Sequence, residues 1–208
     1  MSTNDNAPTL VLASASPARR NILRAAGLTA EVIVSGVDES AVAAGGAQEL
    51  CAILARLKAE AVAVRLPDDC RRLVLGCDSV LEFDGEILGK PADAAEARRR
   101  WRAMRGGAGV LHTGHCLIDT ASSAGGAASA EEVASTTVHF AAISDTEIDA
   151  YVASGEPLHV AGAFTLDGRG GAFVDRISGD AGTVIGLSLP VLRRLLANLD
   201  VRLIDLWR

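Results

Sequence analysis

The sequence has few aromatic residues, few lysines and no long apolar run. Only 3% of its 208 residues are Phe, Trp or Tyr, too few for a stacking platform that binds single-stranded nucleic acid. The formal net charge of -6 also argues against nonspecific DNA binding. No apolar run is long enough to cross a membrane, and no signal peptide is evident. We therefore expect a cytoplasmic protein that contacts neither a membrane nor a nucleic acid polymer.

Several common site motifs are also missing. The chain contains no Walker A loop, no Gly-x-Ser-x-Gly elbow, and no Gly-x-Gly-x-x-Gly after a strand. Its cysteines form no Cys-x-x-Cys pair and lack the spacing of a disulfide scaffold, which argues against a zinc site and favours a reducing compartment. The four cysteines are Cys51, Cys70, Cys77 and Cys116.

What is present predicts an α/β fold. Apolar residues make up 49% of the chain, and short apolar runs alternate with amphipathic segments. The turn at Asp84-Gly85 predicts a hairpin, and therefore a mixed sheet rather than a purely parallel one. We expect one domain over residues 1–208, with a flexible tail at 1–8 and a flexible loop at 121–130. Strands are predicted over 10–13, 31–34, 71–76, 80–83, 87–88, 110–119 and 133–141, and helices over 48–65, 93–104, 144–154 and 191–199.

The segment that follows the first strand combines hydroxyl groups with two arginines. Residues 10–13 are apolar, and they are followed by Ser14, Ser16, a proline, and the pair Arg19 and Arg20. A strand, a polar turn and a helix start direct backbone N–H groups at an anion, and guanidinium groups match phosphate oxygens. The segment indicates a phosphate-binding loop. The alternative is an N-capped helix with solvated arginines.

Acidic residues and lysines supply the other candidates. Asp78 is expected at the C-terminal end of the strand over 71–76, where it could bind Mg²⁺, orient water or accept a proton, unless it only caps a turn. Glu39 lies in a loop and could be a second metal ligand or merely solvated. Lys58 and Lys90 are the only lysines, and Lys90 lies in a turn from which it could reach a phosphate.

Taken together, these segments resemble the Maf family of nucleoside triphosphate pyrophosphatases. The resemblance extends over residues 9–199, and its motifs occur in the family's order. They are residues 12–20 (LASASPARR), 37–39 (VDE), 55–59 (ARLKA), 76–80 (GCDSV), 88–91 (LGKP), 113–114 (TG), 151–157 (YVASGEP), 161–164 (AGAF) and 184–187 (VIGL).

The resemblance implies hydrolysis between the α and β phosphates, which releases a nucleoside monophosphate and pyrophosphate. It also implies a divalent cation (Mg²⁺ or Mn²⁺), a mixed twisted sheet with two lobes around a central cleft, and a possible homodimer. By similarity, Asp78 is the catalytic proton acceptor and, with Glu39, a metal ligand. The triphosphate-binding set that it implies is Ser14, Ser16, Arg19, Arg20, Lys58 and Lys90. The family name is tied to septum formation, so a nucleotide-binding regulator without turnover is the alternative function.

Three positions depart from the family's patterns for base specificity. The branch that acts on dTTP and UTP has Arg, Thr and Gln where this chain has Ala18, Ser79 and Asp167. The branch that acts on 7-methyl-GTP has Trp and Glu at the positions of Ala18 and Asp167. The Ser-Pro-x-Arg-Arg form and residues 156–162 are more similar to the 7-methyl-GTP branch, but the sequence matches neither branch cleanly. A carboxylate at Asp167 predicts contact with N–H donors on a base edge.

Overall fold

The computed structural model describes residues 8–67, 70–121 and 128–207. Strands and helices alternate in the first half of the chain, and antiparallel strands dominate its middle. The strands are β1 (Thr9–Leu12), β2 (Ala30–Val32), β3 (Arg72–Phe83), β4 (Glu86–Leu88), β5 (Ala108–Asp119), β6 (Ala128–Phe140) and β7 (Val174–Ser178). The helices are α1 (Pro17–Ala25), α2 (Ala47–Ala63), α3 (Ala94–Met104), α4 (Asp145–Ala153), α5 (Ala181–Ile185) and α6 (Leu189–Asn198).

The described strands form one seven-stranded mixed sheet with helices around it. Its order is β2-β1-β3-β5-β6-β7, and β4 pairs with β3 beyond the end of β1. Strand β1 is parallel to both β2 and β3, whereas the remaining pairs are antiparallel. The predicted α/β class and mixed sheet are confirmed.

Strand β3 is longer than the sequence predicts. It runs without a break from Arg72 to Phe83, because Gly76–Ser79 pair with Thr113–Cys116 of β5. The prediction that Asp78 ends a strand is therefore wrong. On the other edge of β3, β1 pairs with residues 72–75 and β4 with residues 81–83. No described strand pairs with residues 76–80 on that edge, which leaves a gap in the sheet beside Asp78.

Two connecting segments were not predicted in their observed form. The loop expected at 121–130 is shorter, because β6 already begins at Ala128, where it pairs with Asp119. Residues 122–127, and residues 1–7 of the predicted tail, lie outside the described residues. The polar segment at 179–183 contains the first turn of α5, which the Asp180 side chain caps by accepting from the N–H groups of Gly182 and Thr183.

The apolar core is divided along β3. Leu73 and Leu75 pack in a cluster with α6, whereas Leu81 and Phe83 pack in a second cluster around Trp101. Along β3, Asp78 lies between the residues that belong to the first cluster and those that belong to the second. Within the ranges that the structure describes, we find no helix with the length and apolar character needed to cross a membrane.

Candidate active site

A cleft of about 820 Å³ includes Asp78, Ser79 and Val80 of the sheet gap in its lining. The rest of the lining comes from the segment between β1 and α1, from a loop at 34–39, from α2, and from residues 87–90, 159–167 and 184–185. The cleft therefore collects segments that are far apart in the sequence, and most of the predicted site residues lie in it. These are Ser14, Ser16, Ala18, Arg19, Glu39, Lys58, Asp78, Ser79, Lys90 and Asp167.

Two carboxylates meet one ammonium group in the cleft. Lys58 Nζ lies 2.5 Å from Asp78 Oδ1 and 2.6 Å from Glu39 Oε1. Asp78 and Lys58 are only 7% and 8% exposed, whereas about half of the Glu39 side chain is exposed. Burial raises the pKa of Asp78 above its ordinary value, and Lys58, as the nearest cation, opposes that rise. Asp78 is thus a buried carboxylate with an elevated proton affinity.

Two glycines bring Lys58 to Asp78. A Cβ atom on Gly76 would lie 2.1 Å from the Ala55 carbonyl oxygen, and one on Gly114 would lie 2.2 Å from the Cys51 carbonyl oxygen. Helix α2 therefore lies directly on the backbones of β3 and β5, closer than any residue with a side chain would allow. This close packing is what lets the Lys58 side chain reach a carboxylate in the middle of β3.

Arg19 is held firmly on the cleft wall. Its guanidinium group donates from Nη1 to Ser14 Oγ (3.1 Å) and the Cys77 carbonyl (2.7 Å). It also donates from Nη2 to Ser79 Oγ (3.2 Å) and from Nε to the Gly186 carbonyl (2.8 Å). Four of its five N–H groups thus have partners among the described residues, and Arg19 is only 9% exposed.

The serines of the first loop organise the start of α1. The Ser16 side chain caps the helix by accepting from the Arg19 N–H, and Ser14 Oγ accepts from the Ser16 N–H. The helix is N-capped, as one alternative for this segment predicts. Ser14, Ser16 and Arg19 also line the cleft, as a phosphate-binding loop requires. Arg20, in contrast, is exposed and is not part of the cleft lining.

The Ser79 hydroxyl belongs to a chain of hydrogen bonds. Thr113 Oγ1 donates to the Thr183 carbonyl (2.7 Å), so its single proton is used there. Ser79 Oγ, 2.9 Å from Thr113 Oγ1, must then donate to Thr113 while it accepts from Arg19. Ser79 lines the cleft, but its proton is already committed to Thr113.

Lys90 and Asp167 are the charged groups of the cleft that have no partners among the described residues. Both are exposed, and no hydrogen bond or ion pair joins either to the rest of the described chain. The turn that carries Lys90 is fixed by its neighbour: the Gly89 carbonyl accepts from the Gly162 N–H (3.1 Å) and from Arg100 Nη1 (2.6 Å). Ala18 also lines the cleft, and its small side chain leaves room there.

Comparison with known proteins identifies the family. The family profile described as Maf-like protein matches residues 9–199. The chain belongs to the Maf family. The resemblance read from the motifs is therefore confirmed over the range that those motifs span.

Curated relatives of this Maf chain share one name, nucleoside triphosphate pyrophosphatase. A protein of Salinispora tropica is 66% identical over 200 residues, which cover 95% of this chain and 87% of the relative. A Streptomyces coelicolor protein is 61% identical over 198 residues, 95% of this chain and 94% of the relative. A Nocardia farcinica protein is 54% identical over 210 residues, 96% of this chain and 97% of the relative.

The donor set of this Maf cleft fits a divalent cation that is shared with a substrate. Asp78 and Glu39 each place a carboxylate oxygen within 2.6 Å of the same atom, Lys58 Nζ, so the two carboxylates converge on one point. Among the described residues, no group of three His, Cys, Asp or Glu side chains could form a metal site alone. Mg²⁺ commonly uses one or two carboxylates and takes its other ligands from water and substrate phosphates.

Two polar residues outside the cleft lining support residues within it, and the sequence assigns neither of them a role. Thr113 belongs to the motif at 113–114, and its hydroxyl orients Ser79. Glu156 belongs to the motif at 151–157, and its carboxylate accepts four hydrogen bonds next to the segment that carries Asp167. A threonine inside an apolar strand is the only signal for the first. For the second, the signal is a glutamate followed by a cluster of glycines that can approach it closely.

Proposed function

We propose that this chain is a nucleoside triphosphate pyrophosphatase, which hydrolyses the bond between the α and β phosphates and releases a nucleoside monophosphate and pyrophosphate. The observation that carries this proposal is the buried Asp78 carboxylate, which has a raised pKa and lies with Lys58 in a cleft that also exposes Lys90. The shared name of the curated relatives supports the same activity.

The cleft supplies positive charge for a triphosphate. Lys90 is exposed in the lining and has no described partner, so it can bind phosphate oxygens without breaking another contact. Arg19 adds a fixed positive charge and one remaining N–H group, and the Ser16 hydroxyl lies beside the N terminus of α1. Phosphoryl transfer depends mainly on positioning and charge neutralisation, which these groups provide.

Asp78 is proposed to accept the proton of the attacking water. The water oxygen forms a new bond to the α phosphorus. The bond between the α phosphorus and the α–β bridging oxygen breaks, and pyrophosphate leaves with that electron pair. The raised pKa of Asp78 makes it a stronger base than an exposed carboxylate, and the Lys58 ammonium keeps it ionised and oriented. Glu39 holds the other side of the same ammonium group.

Glu39 and Asp78 are also the residues proposed to hold Mg²⁺ or Mn²⁺. Such a cation supplies further neutralisation of the triphosphate charge when it is bound. Lys58 Nζ bridges the two carboxylates in the structure, so its ammonium must share them or turn toward a phosphate when a cation is held there. The homodimer, the cytoplasmic location, and the lack of contact with nucleic acid polymers stay predictions.

Asp167 is proposed to read the base. An exposed carboxylate repels phosphate oxygens, so the triphosphate is not its partner. It can instead accept from an exocyclic amine or a ring N–H group of a base, while Ala18 leaves space that a larger residue would fill. Ser79 contributes to specificity through Arg19 and Thr113, since its own proton is already donated.

Pyrophosphate release tests this proposal. We would assay canonical, methylated and deaminated nucleoside triphosphates with Mg²⁺ or Mn²⁺, and run Asp78→Asn in parallel. We expect at least one triphosphate to release pyrophosphate and Asp78→Asn to abolish turnover while nucleotide binding is largely kept. Turnover of the variant within a few-fold of the wild type would refute the role of Asp78. Tight binding of one nucleotide without turnover would instead support a regulator.

A further inference from the structure

The segment that presents Asp167 to the cleft is built around one carboxylate. Glu156 Oε1 accepts from the Tyr151 hydroxyl (3.0 Å) and the Thr165 hydroxyl (2.6 Å). The backbone N–H groups of Arg169 and Gly170 donate to Oε2 and Oε1, each at 3.0 Å. These four donors bind a residue that no part of the proposed chemistry uses.

The contacts hold the segment on both sides of Asp167. Thr165, two residues before it, is bonded through its hydroxyl to Glu156 and through its N–H to the Tyr151 hydroxyl (3.3 Å). Arg169 and Gly170 follow Asp167 by two and three residues. Only residues 166–168 are left between the anchored positions, so the path of the backbone at Asp167 is determined by Glu156 and Tyr151.

Close packing shows that the segment is shaped to fit this carboxylate. A Cβ atom on Gly168 would lie 2.8 Å from Glu156 Oε2, and one on Gly170 would lie 2.4 Å from the Tyr151 hydroxyl oxygen. Tyr151 is itself fixed, because its ring packs edge-on against Trp101 at 5.5 Å. Tyr151 is therefore fixed by the core, and Gly168 and Gly170 let the loop approach Tyr151 and Glu156 closely.

The carboxylates of Glu156 and Asp167 have opposite environments. Burial tends to raise the pKa of Glu156, but the hydrogen bonds from Thr165, Gly170, Arg169 and Tyr151 outweigh it and lower this pKa to about 2. Glu156 stays ionised at any pH at which the protein is assayed, and its acceptor positions are in use. Asp167 is exposed in the cleft and has no partner among the described residues, so its acceptors are available to a ligand.

From this geometry we infer that Glu156 is a positioning residue for base selection, which holds the loop 165–170 so that Asp167 meets the N–H donors of the bound base. The inference rests on the proposed function, since it assigns the substrate class to the same cleft: triphosphates whose base offers an amine or a ring N–H group. Glu156 does not touch the triphosphate-binding residues, so its effect is on which nucleotide is chosen and not on the rate of bond cleavage.

The test compares base discrimination in matched variants. Discrimination is the ratio of kcat/KM for the preferred triphosphate to that for the next best base. Glu156→Gln keeps the shape but places an amide among N–H donors, and Tyr151→Phe removes one donor while it keeps the ring that packs on Trp101. Glu147→Gln is the control, because Glu147 is a carboxylate on α4 that accepts from the Ser144 N–H (2.7 Å) and is not part of the cleft lining.

We expect Glu156→Gln to lower discrimination about tenfold, the scale of a hydrogen-bonding group displaced from its partner. The change should come from a higher KM for the preferred triphosphate, with kcat at saturation kept within about threefold, because Lys58 and Asp78 are not disturbed. Inhibition by the preferred nucleoside monophosphate should weaken, whereas inhibition by pyrophosphate should stay as in the wild type. Tyr151→Phe should lower discrimination by less than Glu156→Gln does, and Glu147→Gln should not change discrimination.

Unchanged discrimination in Glu156→Gln, or an equal loss of kcat for every base, would overturn the inference while leaving the proposed function intact. If Glu156→Gln does not fold, the Tyr151→Phe result decides in the same way. A wild-type protein that releases no pyrophosphate from any triphosphate would overturn the proposed function, and the inference with it.

Discussion

Arg19 and Arg20 are sequence neighbours with different environments, and a matched pair of variants tests the difference. Arg19→Lys replaces the guanidinium group by one ammonium group and leaves the buried carbonyls of Cys77 and Gly186 without their hydrogen-bond donor. We expect it to lower the free energy of unfolding by about 2–3 kcal/mol. Arg20→Lys changes an exposed side chain and should stay within about 0.5 kcal/mol of the wild type. Urea denaturation measures both, and equal effects would contradict this account of Arg19.

The second residue-scale prediction concerns the proton affinity of Asp78. Burial raises its pKa, and Lys58 is the largest influence that lowers it. Lys58→Met should therefore raise the pKa of Asp78 further, because the largest opposing charge is removed. Lys90→Met is the control, because Lys90 is exposed and has no described contact with Asp78. Carbon-13 NMR of the Asp side-chain carboxyl groups follows the titration, and an Asp78 pKa that is the same in both variants would refute the role of Lys58.

At this scale the sequence predicted residue types better than their partners. Ser14, Lys58 and Asp78 could be singled out because hydroxyls, lysines and an aspartate beside a strand are the groups that phosphate chemistry needs. Nothing local could show that Arg20 is exposed outside the cleft lining while Arg19 is buried in it. The role of Glu156 was equally hidden, since its donors lie 5 to 14 residues away along the chain.

Helix α2 packs on the sheet where Gly76 and Gly114 leave room for its backbone, and a substitution there tests this packing. Gly114→Ala places a methyl group 2.2 Å from the Cys51 carbonyl oxygen, which pushes α2 away and draws Lys58 from Asp78. We expect a loss of about 2–3 kcal/mol in the free energy of unfolding, together with a fall in kcat. Gly46→Ala is the control, because nothing lies within 4 Å of a Cβ atom built there. Similar melting temperatures for the two variants would contradict this packing.

Helix ends were easier to predict than strand lengths. Helices α3 and α4 begin one residue after the predicted starts at 93 and 144, where an N-cap forms locally between Asp93 and Glu96 and between Ser144 and Glu147. Strand β3 could not be predicted in full, since polar residues such as Asp78 and Ser79 stay in the strand only because β5 pairs with them. That pairing joins residues more than thirty positions apart, beyond the range of a local pattern.

For the whole molecule, we predict a pH-dependent stability that centres on His115. Burial, followed by the charge of Arg19, lowers the pKa of His115 from 6.5 to about 4, and Nε2 accepts from the Ser188 N–H (2.9 Å) only when it is unprotonated. Because the folded pKa lies below the unfolded one, this stabilisation is complete above pH 6.5 and is lost as pH falls toward 4. Its full size is on the order of 3 kcal/mol.

The variant His115→Gln isolates this contribution. Glutamine can still accept from Ser188 but does not titrate, so the variant should lose less stability than the wild type between pH 6.5 and 4. Glu156, whose pKa is lowered to about 2, keeps its stabilisation until the pH falls below 4.5, and its contribution is common to both proteins. Parallel curves of unfolding free energy against pH for the two proteins would contradict the prediction.

The products of the reaction show which phosphoanhydride bond the protein hydrolyses and whether Asp78 is required. With the triphosphate that the wild type prefers, and with Mg²⁺ or Mn²⁺ present, separating the products by anion exchange identifies the bond that breaks. We expect nucleoside monophosphate and pyrophosphate in equal amounts from the wild type, and neither from Asp78→Asn. Nucleoside diphosphate and orthophosphate as the products, or undiminished product formation by Asp78→Asn, would contradict this expectation.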